Sequence, residues 1–156
     1  MNTFLQQHGE VYHETQVLRE QLMDILSDSD LAFTPGGSNP TLGELCKEMG
    51  EVEYAYIGSL KLLKMDWSYR NSEAGLAESV AQLKAWYSKL DEQLKVIMEG
   101  LTDDDLTKMI DRGWSLPVGT QLHIYREALL IYAGKIAVYL KTMGKSMPPQ
   151  MQSWIG

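Results

Sequence analysis

Apolar residues recur three and four positions apart in four long segments of the chain, which is the period of amphipathic helices. In the first segment the apolar positions are Phe4, Val11, Leu18, Leu22 and Ile25, and the pattern ends near Ser27. No segment of any length alternates apolar and polar residues as a half-buried strand does. The pattern therefore predicts four helices and no sheet.

Local signals place the ends of the other three helices. Thr41 and Glu44 have the spacing of a capping box, in which side chains and backbone satisfy each other at a helix start. The third helix is expected to run from about Glu73 to Glu99. The fourth is expected to begin near Val118 and to end with Gly144 in its C-terminal cap.

The connections complete a single all-α domain, residues 1–156, built as a four-helix bundle. Residues 27–40 (SDSDLAFTPGGSNP) are rich in turn formers and long enough to cross the bundle, so up-down-up-down order is not assured. Thr102 and Asp105 predict a short extra helical turn before the last helix. Residues 111–117 (DRGWSLP) are expected to be a loop, and Trp154 in the tail is expected to dock on the bundle.

The composition limits the classes of partner and the cellular location that we expect for the protein. The 156 residues carry a formal net charge of -7, which argues against nucleic acid and anionic membranes because both require a basic face. No apolar stretch approaches the roughly 20 residues of a membrane-spanning helix, and the N-terminus has no pattern of a signal peptide. The single cysteine, Cys46, cannot form an internal disulfide and favours the cytoplasm; its position predicts an inert buried thiol.

Three residues interrupt the apolar faces. Glu53 lies near the centre of the second helix's face, Arg126 at the inner margin of the fourth, and His8 towards the inside of the first. A buried carboxylate needs a partner, which could be Arg126, a tyrosine hydroxyl or His8. Two interpretations stay open: internal polar pairing that fixes helix docking, or a ligand pocket lined by His8, Glu53, Tyr125, Arg126 and Tyr132.

Familiar catalytic and metal-binding motifs are missing from the sequence. It has neither the Glu-x-x-His pairs of di-iron bundles nor His-Glu-x-x-His, and its three histidines are scattered. It also lacks a phosphate-binding glycine loop, a nucleophile elbow and Cys-x-x-Cys. We therefore expect no metal and no other cofactor.

Three stretches resemble the DinB-like superfamily of bacterial four-helix bundles. Residues 41–56 (TLGELCKEMGEVEYAY) are similar to the family's second helix, and residues 128–145 (ALLIYAGKIAVYLKTMGK) to its last helix. Residues 144–156 (GKSMPPQMQSWIG) resemble its common tail, with a proline and a tryptophan near the end. The resemblance covers nearly the whole chain in order and spacing, and it implies the same bundle.

The resemblance also bears on the site. In metal-binding members three histidines hold a divalent ion, and Glu48, Ala128 and Tyr132 occupy those positions here. The family's metal chemistry is therefore not carried over, and an ion-free cleft is expected around Glu48 and Tyr132. Known relatives include thiol-dependent transferases and isomerases, and dimers are common among them, so a homodimer is expected.

Three functions follow as hypotheses. The leading one is a metal-free bundle that binds a small molecule or a partner in this cleft. The alternative is a metal-independent, thiol-dependent transferase or isomerase, in which Arg126 holds a substrate carboxylate while Tyr132 or His8 transfers protons. The third is a structural homodimerisation module, for which some of the four tryptophans could form an aromatic patch.

Overall fold

The computed structural model describes residues 1–155, and helices make up most of them. The helices are α1 Thr3–Asp24, α2 Leu42–Leu62, α3 Val80–Gly100, α4 Asp103–Thr107, α5 Val118–Thr142 and α6 Pro149–Ile155. Two short strands, β1 Met109–Asp111 and β2 Ser115–Pro117, precede α5, and 3-10 turns span Asp28–Ala32 and Leu76–Glu78. No helix within residues 1–155 is long and apolar enough to cross a membrane.

The four long helices α1, α2, α3 and α5 form the bundle. Helices α1 and α2 each pack beside both α3 and α5, so α1 and α2 stand at opposite corners. The connection between them includes the 3-10 turn Asp28–Ala32, which packs against α2. Apolar side chains from all four helices fill the centre, among them Leu22, Met49, Leu83, Leu90, Leu122 and Ile136.

The helix ends that local signals predicted are confirmed. The Thr41 side chain accepts the Glu44 N–H, and the Glu44 carboxylate accepts the Thr41 N–H at 2.9 Å, which completes the capping box of α2. Helix α5 begins at Val118, and Gly144 follows it with a φ of 71°. The predicted extra turn is α4, whose capping box uses Thr102 and Asp105.

The third helix starts later than predicted. Helix α3 begins at Val80, after Ser79, whose hydroxyl caps it by accepting the Gln82 N–H. Gly75 has a φ of 76°, and this left-handed residue separates the helix from the preceding chain. Leu76 fits the apolar period of the helix, but it belongs to a separate 3-10 turn, in which its side chain is buried. The apolar spacing therefore placed the start of the helix too early, because Ser79 and Gly75 set the actual boundary.

Residues 109–117 form an antiparallel hairpin, so the predicted loop at 111–117 is wrong. Asp111 pairs with Ser115, and Gly113 in the turn has a φ of 89°. The Met65 N–H donates to the Asp111 carbonyl at 2.8 Å, and the Asp111 N–H donates to the Leu63 carbonyl at 2.9 Å. Strands of three residues are too short to show alternation, and this one is stabilised by the end of α2.

The C-terminal tail is helical and docks through a different residue from the one predicted. Met151 is buried, whereas Trp154 is 42% exposed. The Gln150 side chain donates to the Glu14 carbonyl at 2.9 Å and accepts from the Gln21 side chain at 3.2 Å. The tail is thus attached to α1 by hydrogen bonds and one apolar side chain.

Candidate functional site

A buried ion cluster joins three helices at the centre of the bundle. Arg19 of α1 donates from Nη1 to Glu53 of α2 and from Nη2 to Asp91 of α3, the latter at 2.7 Å. The guanidinium also lies 4.4 Å from the ring centroid of Tyr87, and the Tyr87 hydroxyl donates to the Cys46 carbonyl at 2.5 Å. Cys46 itself is buried. The partner of Glu53 is therefore Arg19, which the sequence pattern did not single out.

The electrostatics of this cluster follow from its burial. Burial raises the pKa of Glu53 to about 7, and the negative charge of Asp91 acts in the same direction, whereas Arg19 opposes both. One guanidinium is shared by two carboxylates, so it compensates neither fully. The neighbouring Tyr125 hydroxyl also lowers the pKa of Glu53. Glu53 is fully buried, so this carboxylate connects α2 to Arg19 inside the core.

His8 and Arg126 lie at the contact between α1 and α5. The His8 ring is half-buried, with its centroid 4.6 Å from that of His123 and 5.0 Å from that of Phe4. Burial and the neighbouring His8 lower the pKa of His123. Arg126 donates from Nε to the Thr15 hydroxyl at 3.1 Å, so it is not the partner of Glu53. Arg126 therefore faces α1.

Tyr132 faces the other way, towards α2, so the six predicted site residues fall into three groups. Tyr132 lies beside Glu48, and burial together with this carboxylate raises the pKa of the phenol. Tyr125 and Glu53 belong to the core, and His8 and Arg126 to the α1–α5 contact. A single pocket lined by these residues stays a prediction.

The three positions that the resemblance assigns to metal ligands do not suit a metal ion here. Glu48 is exposed, Ala128 has no donor atom, and Tyr132 is buried against α2 and offers a phenol. Within residues 1–155 no group of three histidine, cysteine, aspartate or glutamate side chains could hold an ion. A single carboxylate without imidazole or thiolate neighbours does not match a transition-metal site.

A cleft of about 230 Å³ nevertheless opens beside Glu48 on α2. Glu51 in its wall accepts the Asn71 N–H at 2.9 Å and lies 3.8 Å from both Lys47 Nζ and Arg70 Nε. Its other lining residues are Glu48, Val52, Ala55, Trp67 and Arg70. The cleft is therefore small and polar, with one aromatic wall.

Trp67 lines this cleft and also contacts Arg112. Arg112 lies in the hairpin turn, and its guanidinium packs beside aromatic rings. The Arg112 guanidinium carbon lies 5.6 Å from the Tyr56 ring centroid and 5.7 Å from those of Trp67 and Trp114. No carboxylate within the described residues lies at ion-pair distance from it. Sequence reasoning missed Arg112 because it assigned its segment to a loop, although an arginine beside Trp114 was visible.

A buried hydrogen-bond chain orients Arg112. Its Nη1 donates to Gln121 Oε1 at 3.2 Å, and Gln121 Nε2 donates to the Ser59 hydroxyl at 2.8 Å. The Ser59 hydroxyl donates in turn to the Tyr56 carbonyl at 2.7 Å. Gln121 and Ser59 are fully buried, so the chain fixes the direction of the amide oxygen and hence one side of the guanidinium. The guanidinium also lies beside the Tyr56 hydroxyl and opposes the burial that raises the pKa of this phenol, and its other donors remain for another group.

Comparisons with known proteins bear on the fold. No family model and no curated protein matches the sequence. Among solved structures, the chain is similar to a DinB-like protein of Bacillus cereus, with a TM-score of 0.72 and 21% identity over 93% of each chain. It is also similar to the DinB-like protein YjoA of Bacillus subtilis, with a TM-score of 0.69 and 20% identity over 86% of this chain and 90% of that one. The likeness predicted from the three sequence stretches is thus confirmed for the fold, and this chain is a helical bundle of the DinB-like type.

Proposed function

We propose that the protein binds a small organic carboxylate at Arg112, with the apolar part of the ligand against Trp67 and Trp114. The observation that supports this is Arg112 itself, a half-buried guanidinium among three rings with no carboxylate partner in the described residues. A guanidinium binds a carboxylate through two parallel N–H donors, and these hydrogen bonds are among the strong ones. The buried Gln121 orients the group before a ligand arrives, which lowers the entropy cost of binding.

The surroundings limit the size and charge of the ligand. Trp67 and Trp114 are 46% and 60% exposed, so their rings can cover an apolar or aromatic group of the ligand. Trp67 also forms a wall of the cleft of about 230 Å³ that contains Glu48, which leaves room for a short polar extension. The net charge of -7 opposes the binding of polyanions. The binding energy of a single carboxylate depends mainly on the guanidinium that it contacts, because charges beyond about 8–10 Å are screened.

The proposal predicts that Arg112→Gln weakens carboxylate binding by tenfold or more. The lost interaction is a charge-assisted hydrogen bond of about 1.5–3 kcal/mol, and tenfold corresponds to about 1.4 kcal/mol. Tryptophan fluorescence suits the measurement, since Trp67 and Trp114 flank the guanidinium. We would titrate aromatic and aliphatic monocarboxylates together with the amide of each acid, which has the same shape without the charge.

Lys89→Gln is the matched control for this test. Lys89 is exposed on α3. Its replacement by glutamine removes the same unit of positive charge, but away from the hairpin. It should leave the titration unchanged. Equal binding of the acids and their amides, or an Arg112→Gln protein that binds like the wild type, would contradict the proposal.

The same surface supports a second candidate, contact with another copy of the chain. Met109 on the same hairpin as Trp114 is 50% exposed, so it reaches solvent as Trp67 and Trp114 do. Exposed apolar patches often mark protein contacts. A dimer in sedimentation velocity that Trp114→Ser dissociates, with no effect of any carboxylate on the tryptophan fluorescence, would favour homodimerisation over ligand binding.

A further inference from the structure

A groove of about 470 Å³ runs between α1 and α3, away from the hairpin and from Arg112. This volume lies within the range of small-molecule sites, roughly 300–1,000 Å³. The residues that line it come from two helices of the bundle, so its walls are as rigid as the fold itself. Its chemistry differs from that of the cleft near Glu48.

The floor of the groove is apolar. Leu94 and Met98 of α3 and Tyr12 of α1 are buried beneath it, and Leu5 and Val17 of α1 are half-buried at its sides. Gly9 leaves the middle of the groove open on the α1 side: a Cβ there would meet only Leu5 Cδ2, at 3.9 Å. An alkyl chain lying along this floor would remove apolar surface from water on both partners.

The rim of the groove is predominantly acidic. Its lining contains four carboxylates, those of Glu20, Asp91, Glu92 and Glu99, and one lysine, Lys95. Among the described residues, no ion pair involves Lys95, Glu20, Glu92 or Glu99, whereas Asp91 is paired with Arg19 of the core. An apolar floor below an acidic rim is complementary to a molecule that has both an apolar part and a positive charge.

Asp91 provides a fixed anchor at this rim. Its Oδ1 accepts hydrogen bonds from Arg19 Nη2 at 2.7 Å and from Gln16 Nε2 at 2.8 Å. Its Oδ2 accepts none from the residues that the structure describes, and the side chain, which is 22% exposed, is part of the groove lining. The carboxylate is therefore held in one orientation by the core cluster, with one oxygen left for a partner outside the protein.

We propose that this groove binds a small organic cation with an apolar chain, of the class of primary alkylamines, whose ammonium group lies on Oδ2 of Asp91. The ammonium donates up to three hydrogen bonds, and the neighbouring Glu92 adds favourable charge. The alkyl chain lies over Leu94 and Met98. This groove does not include Arg112, so the proposal can be tested separately from the carboxylate site.

Isothermal titration calorimetry with n-hexylamine tests the proposal at neutral pH, where the amine is protonated. We expect saturable binding of one equivalent. Hexan-1-ol, which has the same chain without the charge, should bind at least tenfold more weakly. Arg112→Gln should bind n-hexylamine like the wild type, since the hairpin lies elsewhere.

Two variants locate the binding. Asp91→Asn should weaken n-hexylamine at least tenfold, but it also removes a partner of Arg19 and could disturb the fold. Gly9→Leu avoids this difficulty, because its side chain projects into open groove and leucine favours a helix more than glycine does. Gly9→Leu should abolish n-hexylamine binding while the thermal midpoint is maintained or raised.

Glu14→Gln is the control for both variants, since Glu14 is exposed on α1 and does not line the groove. It should bind n-hexylamine like the wild type. The proposal is overturned if n-hexylamine does not bind, if hexan-1-ol binds equally well, or if the folded Gly9→Leu protein keeps its affinity.

Discussion

Single residues on α2 determine how closely other segments approach it. A Cβ at Gly43 would lie 1.8 Å from the Ala77 carbonyl oxygen, and one at Gly50 would lie 2.4 Å from Trp86 Cζ3. Both glycines have helical backbone, so it is the approach of a neighbour that requires them and not their φ angles. The sequence shows the glycines but not the neighbours, because Ala77 and Trp86 are distant in the chain.

Gly43→Ala should lower the free energy of unfolding by about 3 kcal/mol, the upper part of the usual cost of overpacking, since the obstacle is backbone. Gly58→Ala on the same helix is the matched control: its Cβ meets nothing within 4 Å. The control should be neutral or stabilising by up to about 1 kcal/mol through helix propensity. Urea denaturation measures both, and a Gly43→Ala protein as stable as Gly58→Ala would refute the close contact with Ala77.

Arg19 shows why one buried residue escaped sequence reasoning. The apolar positions of α1 suggested a face centred on Val11, Leu18 and Ile25, yet Val11 and Ile25 are only half-buried. The buried face is turned by roughly 60° towards Tyr12 and Met23, as 100° per residue implies. Arg19 lies within this turned face. Thr15 and Arg19 are polar and interrupt the apolar pattern of this turned face, so the pattern pointed to the neighbouring stripe.

At the scale of elements, caps were predictable and short strands were not. The capping box of α2 depends on residues three positions apart, so the sequence contains everything needed to identify it. The hairpin depends on Leu63 and Met65, which give Asp111 its backbone partners from more than 40 positions away. Only two of its strand residues, Ile110 and Leu116, are buried. Two apolar positions are too few to define a period.

Thr41→Ala should lower the free energy of unfolding by about 1 kcal/mol, the usual value of an N-cap side chain. The Thr41 hydroxyl accepts the Glu44 N–H at 3.2 Å, and alanine would leave that donor without its partner. Thr41→Ser keeps the hydroxyl and should remain within a few tenths of a kcal/mol of the wild type. Thermal or urea unfolding gives the comparison, and equal losses in the two variants would mean that the hydroxyl is not the stabilising group.

At the scale of the whole molecule, the cluster of Arg19, Glu53 and Asp91 ties α1, α2 and α3 together. Because α1 and α2 stand at opposite corners, the Arg19–Glu53 pair crosses the centre of the bundle. A sequence pattern could identify Glu53 as buried and polar, but it could not choose among arginines on other helices. The choice of partner is a property of how the helices are arranged.

The raised pKa of Glu53 predicts a pH dependence of stability. The folded carboxyl has a pKa of about 7 against a reference of 4.5, so between these values the folded state holds a proton that the unfolded state has lost. The resulting stabilisation is complete below about pH 4.5 and is lost as the pH rises through about 7. The free energy of unfolding of the wild type, relative to Glu53→Gln, should therefore fall over this range.

Urea denaturation of both proteins at several pH values between 4.5 and 7.5 measures that difference. Glu10→Gln, an exposed position on α1, controls for the removal of one negative charge. The difference between the wild type and Glu10→Gln should change little over the range. Parallel curves for the wild type and Glu53→Gln would show that Glu53 is ionised throughout and that Arg19 outweighs its burial.

The sequence by itself determined the four long helices, the caps of α2, α4 and α5, the all-α class and the likeness to DinB-like bundles, because these depend on spacings within a few turns of one helix. Only the tertiary structure decided that Arg19 pairs with Glu53 and that the hairpin brings Arg112 among Tyr56, Trp67 and Trp114. The physical reason is distance along the chain. Local hydrogen bonds and the apolar period depend on residues that are close in the sequence. The rotation of each helix and its contacts with other helices depend on how all the apolar faces pack together.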